Sequence, residues 1–226
     1  MFEMKKVMTR DGSETFVNDE LGQSYHSFTG AVEEALKKYS EPLDVAGLAK
    51  KQDTIKILDV AYGMGYNSAM AIAIALEANP SVSVEIVGLE NDPAILDQIG
   101  TLNPAIVGYD KFHKMDSKNL EFSYVSLGGG KISVKVLLGD AHDTIKELES
   151  SFFDLCFFDM FSPSVVPESW SVGLFESVFK VLKKGGKMST YSCARLARDN
   201  MKKAGFLYDD GPKVGRRGPG TVAWKE

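Results

Sequence analysis

Apolar positions along the chain fall into two alternating patterns. Apolar-rich runs of strand length occur at Ile55–Val60, Val82–Glu90, Lys131–Asp140 and Phe152–Asp159, the last nearly unbroken. Runs of this kind suit parallel strands covered on both faces. Between them lie stretches with helical periodicity. Ala31, Ala35, Leu36 and Tyr39 predict a helix over 31–39. The all-apolar Ala69–Leu76 predicts a buried helix. Pro93 opens another, a fourth runs from His142 towards Ser150, and Leu174, Phe175, Val178, Val181 and Leu182 mark one face of a helix over 168–182. Lys183-Lys-Gly-Gly186 predicts its end, with cations at the negative terminus and a glycine cap. Lys187–Tyr191 is a fifth strand, Ala194, Ala197, Met201 and Ala204 mark a last helix, and 205–210 and 220–224 make two final strands. The pattern predicts an α/β fold: a Rossmann-like, seven-stranded, mostly parallel sheet closed by a C-terminal antiparallel hairpin.

Two regions depart from this rhythm. Residues 1–28 are mixed polar and aromatic, and the turn-rich Thr9–Thr15 could join two strands as a small hairpin. With Pro42 and Gly47 punctuating a linker, residues 1–45 read as an extension packing on a single domain over 46–226. Residues 100–130 are too long for a plain helix-to-strand connection. They form either a short extra helix with loops or a substrate-facing insertion. Gly128–Gly130 precedes a strand and no helix, so it reads as a turn rather than a phosphate loop.

Composition narrows the class. With 226 residues, 44% hydrophobic and 25% charged, the chain has the profile of a globular protein with its own core. Two cysteines and three scattered histidines give neither a disulfide framework nor metal-ligand spacing, so no metal is expected. The first residues lack the apolar core of a signal peptide, and a cytoplasmic location is expected. The net charge of −5 argues against a surface that attracts nucleic acid as a whole. Basic residues are nonetheless dense after Lys183, either as solvated helix ends and turns or as a binding patch.

The candidate chemistry sits at strand ends. Asp59-Val-Ala61-Tyr62-Gly63-Met-Gly65 joins the first core strand to its helix, and a glycine turn in that position cradles a nucleotide beside free helix N–H groups. Its spacing differs from the dinucleotide fingerprint G-x-G-x-x-G, which the sequence lacks. Glu90, followed by Asn91, ends the second strand where a carboxylate can accept hydrogen bonds from both ribose hydroxyls. Asp140, with the backbone N–H of Ala141, suits the amine and ring nitrogens of adenine. Their structural alternatives are a solvated strand end for Glu90 and a helix cap for Asp140; the registration of three successive strand ends favours the ligand. Asp159 ends the fourth strand, where it could accept a hydrogen bond from an amine, orient its lone pair and stabilise a cationic product. Met160, Phe161, Ser162 and Pro163 would form the adjoining pocket wall.

The three strand-end positions resemble those of the class I S-adenosylmethionine (SAM) methyltransferases, with Ala61 standing where a first glycine is common. From its size, Ala61 is expected to pack slightly more tightly without loss of binding. A narrower resemblance follows. Asp159-Met-Phe-Ser-Pro163 with Pro167-Glu-Ser-Trp170 is similar to the D-G-F-x-P…P-x-x-W stretch of the MnmC-type methyltransferases. Thr9-x-Asp-Gly-Ser-x-Thr15, Gly22-x-x-Tyr-His-Ser27 with Gly30-Ala31, Gly63-x-Gly-x-Asn67 and Gly215-Arg-Arg-x-Pro-Gly220 agree along nearly the whole chain. The resemblance implies transfer of a methyl group from SAM to the 5-aminomethyl group of 5-aminomethyl-2-thiouridine at the tRNA wobble position. It also implies that Tyr25 and Ser27 line the methionine end of SAM, and it adds Asn67 to the cofactor site. Arg216 and Arg217 are expected to contact tRNA phosphates. Met160 replaces the family's usual glycine, so a narrower pocket is expected. The flavin-dependent domain fused to some relatives is not found in these residues, and the expectation is the methyltransferase domain alone. Alternatives are a methyltransferase for a small molecule or protein, an aminopropyltransferase of the spermidine synthase kind, and a non-catalytic SAM-binding module. After the fourth strand the chain offers Ser162, Pro163, Ser164 and only Glu168, where a polyamine groove needs several acids, and an apolar residue in place of Asp159 would have favoured the binding module.

Overall fold

Unbroken apolar runs demand cover on both faces, and they receive it. The structure, a computed structural model, describes residues 4–215 and 217–226. It begins with a small antiparallel sheet of β1 (Lys5–Met8), β2 (Glu14–Asn18) and β3 (Gln23–Ser24). The Thr9–Ser13 turn between β1 and β2 is organised by Asp11, whose Oδ1 accepts from Thr9 Oγ1 (2.7 Å) and Ser13 N (3.0 Å). Its Oδ2 accepts from Glu33 N in the following helix (3.0 Å). Burial pushes the Asp11 carboxyl up, but these hydrogen bonds prevail and hold it down at about 2.

Helix α1 (Ala31–Glu34) passes into a π-helical turn, Ala35–Ser40, and α2 (Val45–Ala49) follows. The core then alternates as predicted. In chain order come β4 (Thr54–Val60), α3 (Tyr66–Ala78), β5 (Ser83–Glu90), α4 (Pro93–Leu96), β6 (Glu121–Val125), β7 (Lys131–Leu138), α5 (Ala141–Thr144), β8 (Phe153–Phe158), α6 (Val172–Val181), β9 (Leu182–Thr190), α7 (Arg195–Lys203), β10 (Leu207–Asp210) and β11 (Thr221–Trp224). The main sheet runs β10-β11-β9-β8-β4-β5-β7-β6. Its central pairs are parallel, and β10, β11 and β6 join antiparallel.

The sheet therefore has eight strands. The additional one, β6, lies within the stretch 100–130, which proves to be a 3₁₀ turn, Tyr109–Lys114, followed by an edge strand. The turn packs beneath the glycine loop: Tyr109 Oη donates to Met64 O at 2.8 Å, and its ring stacks on Phe112. The β6–β7 turn needs its glycines because a Cβ on Gly128 would lie 2.2 Å from Pro80 O. The predicted helix over 168–182 is shorter, preceded by a 3₁₀ turn at Pro167–Trp170. Lys183–Gly186 does not cap it; β9 starts at once, with Gly185 at φ +77° and a register shift against β8 that absorbs the irregularity. The helix expected after His142 is two short helical turns, α5 and Ile145–Glu147.

One position in this topology matters most. The chain runs outward from β4 to β5 and β7, then returns to place β8 on the other side of β4. Where the order reverses, the loops after β4 and β8 part and leave a crevice at the strand ends. The backbone N–H of Asp159, just after β8, donates to Val60 O at 3.0 Å, so the two loops leave the sheet side by side. Phe16, Ala31 and Tyr39 from the N-terminal elements share one buried cluster with Ile55, Ile57 and Tyr66.

Candidate active site

The glycine turn occupies the β4 side of the crevice. Gly63 and Gly65 adopt φ values of +55° and +72°. A Cβ on Gly65 would lie 2.7 Å from Tyr62 Oη, so glycine is required there for space as well as conformation. Ala61 also lies in the left-handed region, at φ +63°. The consequence of alanine at this position is thus conformational, a strain of about 1–2 kcal/mol. Tyr62 is 3% exposed, donates from Oη to Met115 Sδ at 3.4 Å and packs on Gly88, so its side chain belongs to the core and its backbone to the turn.

Glu90 is a clasp. Its Oε2 accepts from Gly63 N (2.7 Å), and its Oε1 accepts from the N–H groups of Asn91 and Asp92 (2.9 Å each). Burial pushes its carboxyl up, against the pull of those backbone donors. A carboxylate offers about four lone-pair sites, so three donors leave room for one more. Asn91 itself is exposed beside it. Asp140 is exposed and caps α5: its Oδ1 accepts from His142 N (2.8 Å) and meets His142 Nδ1 (2.9 Å). Ala141 is buried behind it. The cap and a ligand contact are compatible, since one carboxylate oxygen serves the cap.

Tyr25 bridges the two sides. Its ring is the nearest neighbour of a Cβ built on Gly63 (Cδ1, 3.8 Å), its edge meets Phe161 at a 5.0 Å centroid distance, and its hydroxyl donates to Asp92 Oδ2 at 2.7 Å. Ser27 lies farther along the same wall, with its N–H on Glu34 Oε2 (2.7 Å) and its hydroxyl on Thr29 Oγ1. Beneath the turn, two buried acceptor atoms have no partner among the described residues, Asp59 Oδ1 and Asn67 Oδ1. Unpaired buried acceptors beside a glycine cradle fit a ligand with a cationic amino group, such as the methionine end of SAM.

On the β8 side, Asp159 is half-buried and held at both oxygens. Tyr39 Oη donates to Oδ1, and Asn67 Nδ2 donates to Oδ2 at 2.9 Å. Burial first, and then the nearby Glu34 carboxylate, push the Asp159 carboxyl up to about 7. It faces a cavity of about 360 Å³, whose walls include Tyr25, Phe161, Glu34, Lys38 and Tyr191. Met160 also lines it, and its carbonyl accepts from Tyr191 Oη at 3.0 Å. Phe161 O accepts from Trp170 Nε1 (2.8 Å), which ties the pocket wall to the 3₁₀ turn that follows. Ser162 is clamped to β3, donating from N to Gln23 Oε1 and receiving from Gln23 Nε2, both at 3.0 Å. Pro163 is half-buried next in the loop. Gly215 reaches the cavity from the β10–β11 loop, and Arg217, two residues on, is exposed; Arg216 lies outside the described residues.

Several cavity or contact residues escape the sequence reasoning, among them Gln23, Glu34, Lys38, Tyr39 and Tyr191. A signal existed. Positions 31, 34, 35, 38 and 39 share one helical face, so Glu34 and Lys38 lie inside an apolar stripe rather than opposite it. Both are buried, at 5% and 4% exposure, and form an ion pair with each other. The π-helical turn widens the helix here, and Lys38 O is taken by Ser189 Oγ of β9 at 2.5 Å.

Comparison with known proteins agrees with this geometry. A family model for S-adenosyl-L-methionine-dependent methyltransferases matches residues 109–226. The crystal structure of MnmC2 from Aquifex aeolicus superimposes with a TM-score of 0.82 and 32% identity, covering 99% of this chain and 71% of that one. The Leptospira interrogans bifunctional protein MnmC of tRNA 5-methylaminomethyl-2-thiouridine biosynthesis is 26% identical over 219 residues, 93% of this chain. The chain spans 34% of that relative's length. A spermidine synthase from Thermotoga maritima shares the fold, with a TM-score of 0.55 at 13% identity. The chain belongs to the S-adenosyl-L-methionine-dependent methyltransferases, and within them to the MnmC type.

Proposed function

We propose that this methyltransferase transfers the methyl group of SAM to the primary amine of 5-aminomethyl-2-thiouridine at the tRNA wobble position. The observation that carries the reading is Asp159. Its carboxylate stands at the crevice where the β4 and β8 loops part, held by Tyr39 and Asn67 and open to a cavity walled by Tyr25 and Phe161. The Leptospira relative's part in tRNA 5-methylaminomethyl-2-thiouridine biosynthesis supports the choice of tRNA.

In this reading the turn Ala61–Gly65 takes the methionine end of SAM, with Asn67, Tyr25 and Ser27 around it, Glu90 and Asn91 beside the ribose, and Asp140 and Ala141 at the adenine. SAM supplies the electrophilic methyl carbon. The amine must meet it unprotonated, and ionised Asp159 accepts an N–H from the amine and aims its lone pair. The cationic product gains from the same carboxylate. Phe161 and Tyr25, packed edge to face, present one aromatic wall to the base, with Met160, Ser162 and Pro163 completing it. Arg217 and Arg216 contact tRNA phosphates, and a tRNA substrate puts the reaction in the cytoplasm. No helix among the described residues is long and apolar enough to cross a membrane.

The test is incubation with labelled SAM and tRNA lacking only this methyl group, followed by nucleoside analysis. Label in the wobble nucleoside is expected. Label elsewhere in the tRNA, or none, would contradict the substrate.

A further inference from the structure

Lys38 is the least explained charge in the cavity. It is 4% exposed, and Glu34, its ion-pair partner, is 5% exposed. Removing two charges from water is costly, and packed apolar residues often replace such a pair without loss of stability. The pair is therefore weakly accounted for by stability alone.

The hydrogen-bond inventory is uneven. Both Glu34 oxygens are engaged, Oε1 by Lys38 and Oε2 by Ser27 N. An ammonium has three donors. Among the described residues, Lys38 Nζ has one hydrogen-bond acceptor, Glu34 Oε1, and the ring of Tyr191 lies 5.9 Å from it on another side. The lysine lines the same cavity as Asp159. A buried cation with spare donors, in the same cavity as a carboxylate suited to an amine, is a second recognition point. The Tyr25 and Phe161 rings, edge to face at 5.0 Å, also line this cavity and offer an aromatic wall to a planar ring.

We propose that Lys38 is a specificity residue: its ammonium, anchored by Glu34, donates a hydrogen bond to an acceptor atom of the ring that carries the amine. The cavity then takes an amine placed next to a ring carbonyl in preference to an amine on a plain hydrocarbon ring. This rests on the reading of Asp159 as the amine acceptor, and it adds a second contact that reads the base. A site built for an acceptor discriminates strongly, because an analogue without it leaves the buried donor unpaired.

The experiment titrates 5-aminomethyluracil and benzylamine into the protein saturated with S-adenosylhomocysteine, by ligand-observed NMR at pH 9. That pH lies well above the point at which Asp159 ionises, so a change in its charge does not enter. Wild type is expected to bind 5-aminomethyluracil at least tenfold more tightly. Lys38→Met should lose most of that preference, and Lys38→Arg should keep part of it. Equal affinity of wild type for the two amines overturns the proposal, as does a preference that Lys38→Met retains. The measurement needs no turnover. A preference seen here, with no label in the wobble nucleoside, would refute the tRNA substrate and leave the role of Lys38 standing.

Discussion

At the residue scale, the site depends on groups that act through Asp159. Tyr39 is fully buried against Phe157, yet its hydroxyl reaches the carboxylate. A donor on a carboxylate favours the charged form, so Tyr39→Phe raises the point at which Asp159 ionises. In the proposed reaction Asp159 acts in its ionised form, which is present above about 7 and lost as the pH falls through that value. The acid limb of kcat/KM should therefore move to higher pH in Tyr39→Phe, and a pH–rate profile checks this. An unmoved limb would separate Tyr39 from the chemistry. Ala61 offers a test of a different kind. Its left-handed backbone strains a residue with a Cβ, so Ala61→Gly relieves about 1–2 kcal/mol and loses roughly 0.4–1 kcal/mol through a freer unfolded chain. The net gain of about 0–1.6 kcal/mol should raise Tm by up to about 6 °C in calorimetry.

At the scale of elements, the pocket wall is shared. β3 supplies Gln23, whose amide grips both the N–H and the hydroxyl of Ser162. Gln23→Ala removes two hydrogen bonds that join the N-terminal sheet to the loop after β8. Each contributes about 0.5–1.5 kcal/mol. We expect KM for the acceptor to rise several-fold, with SAM affinity within about twofold; steady-state kinetics and calorimetry measure both, and an unchanged KM would remove the clamp from substrate binding.

The alternation of strands and helices, the glycine turn and the late hairpin were legible because each follows from local periodicity. So was Asp159, because it ends an unbroken apolar strand. Elements that depend on neighbours were not legible. β6 pairs only because β7 offers an edge, and Lys183–Gly186 bulges within β9 between the Leu182 and Lys187 pairs to β8, tied instead to Lys225. Glu34 and Lys38 look like an ordinary i,i+4 surface pair until the stripe they interrupt is counted. Glu90 was read as a ribose contact, and the structure adds that it fastens the glycine turn to β5.

At the scale of the molecule, an acidic protein must hold an acidic partner if the tRNA reading is right. The net charge of −5 makes long-range attraction weak, so contacts must be local. The β10–β11 loop lines the cavity at Gly215 and carries exposed Arg217 two residues later. Neutralising Arg217 should reduce the salt slope of tRNA binding by about 0.7–0.9, the contribution of one phosphate. An unchanged slope would return this arginine to a solvated turn.

The account as a whole divides the work between two strand ends. In the proposed reaction the loop after β4 holds the methyl donor, and Asp159 after β8 receives the amine. Asp159→Asn separates the two: it keeps the size of the side chain and removes the charge. Single-turnover transfer to the tRNA, measured beside calorimetric binding of SAM, tests the division most directly. The account predicts SAM affinity within about twofold of wild type and a transfer rate lower by about 10²–10⁴-fold. Transfer at the wild-type rate with SAM bound would contradict it.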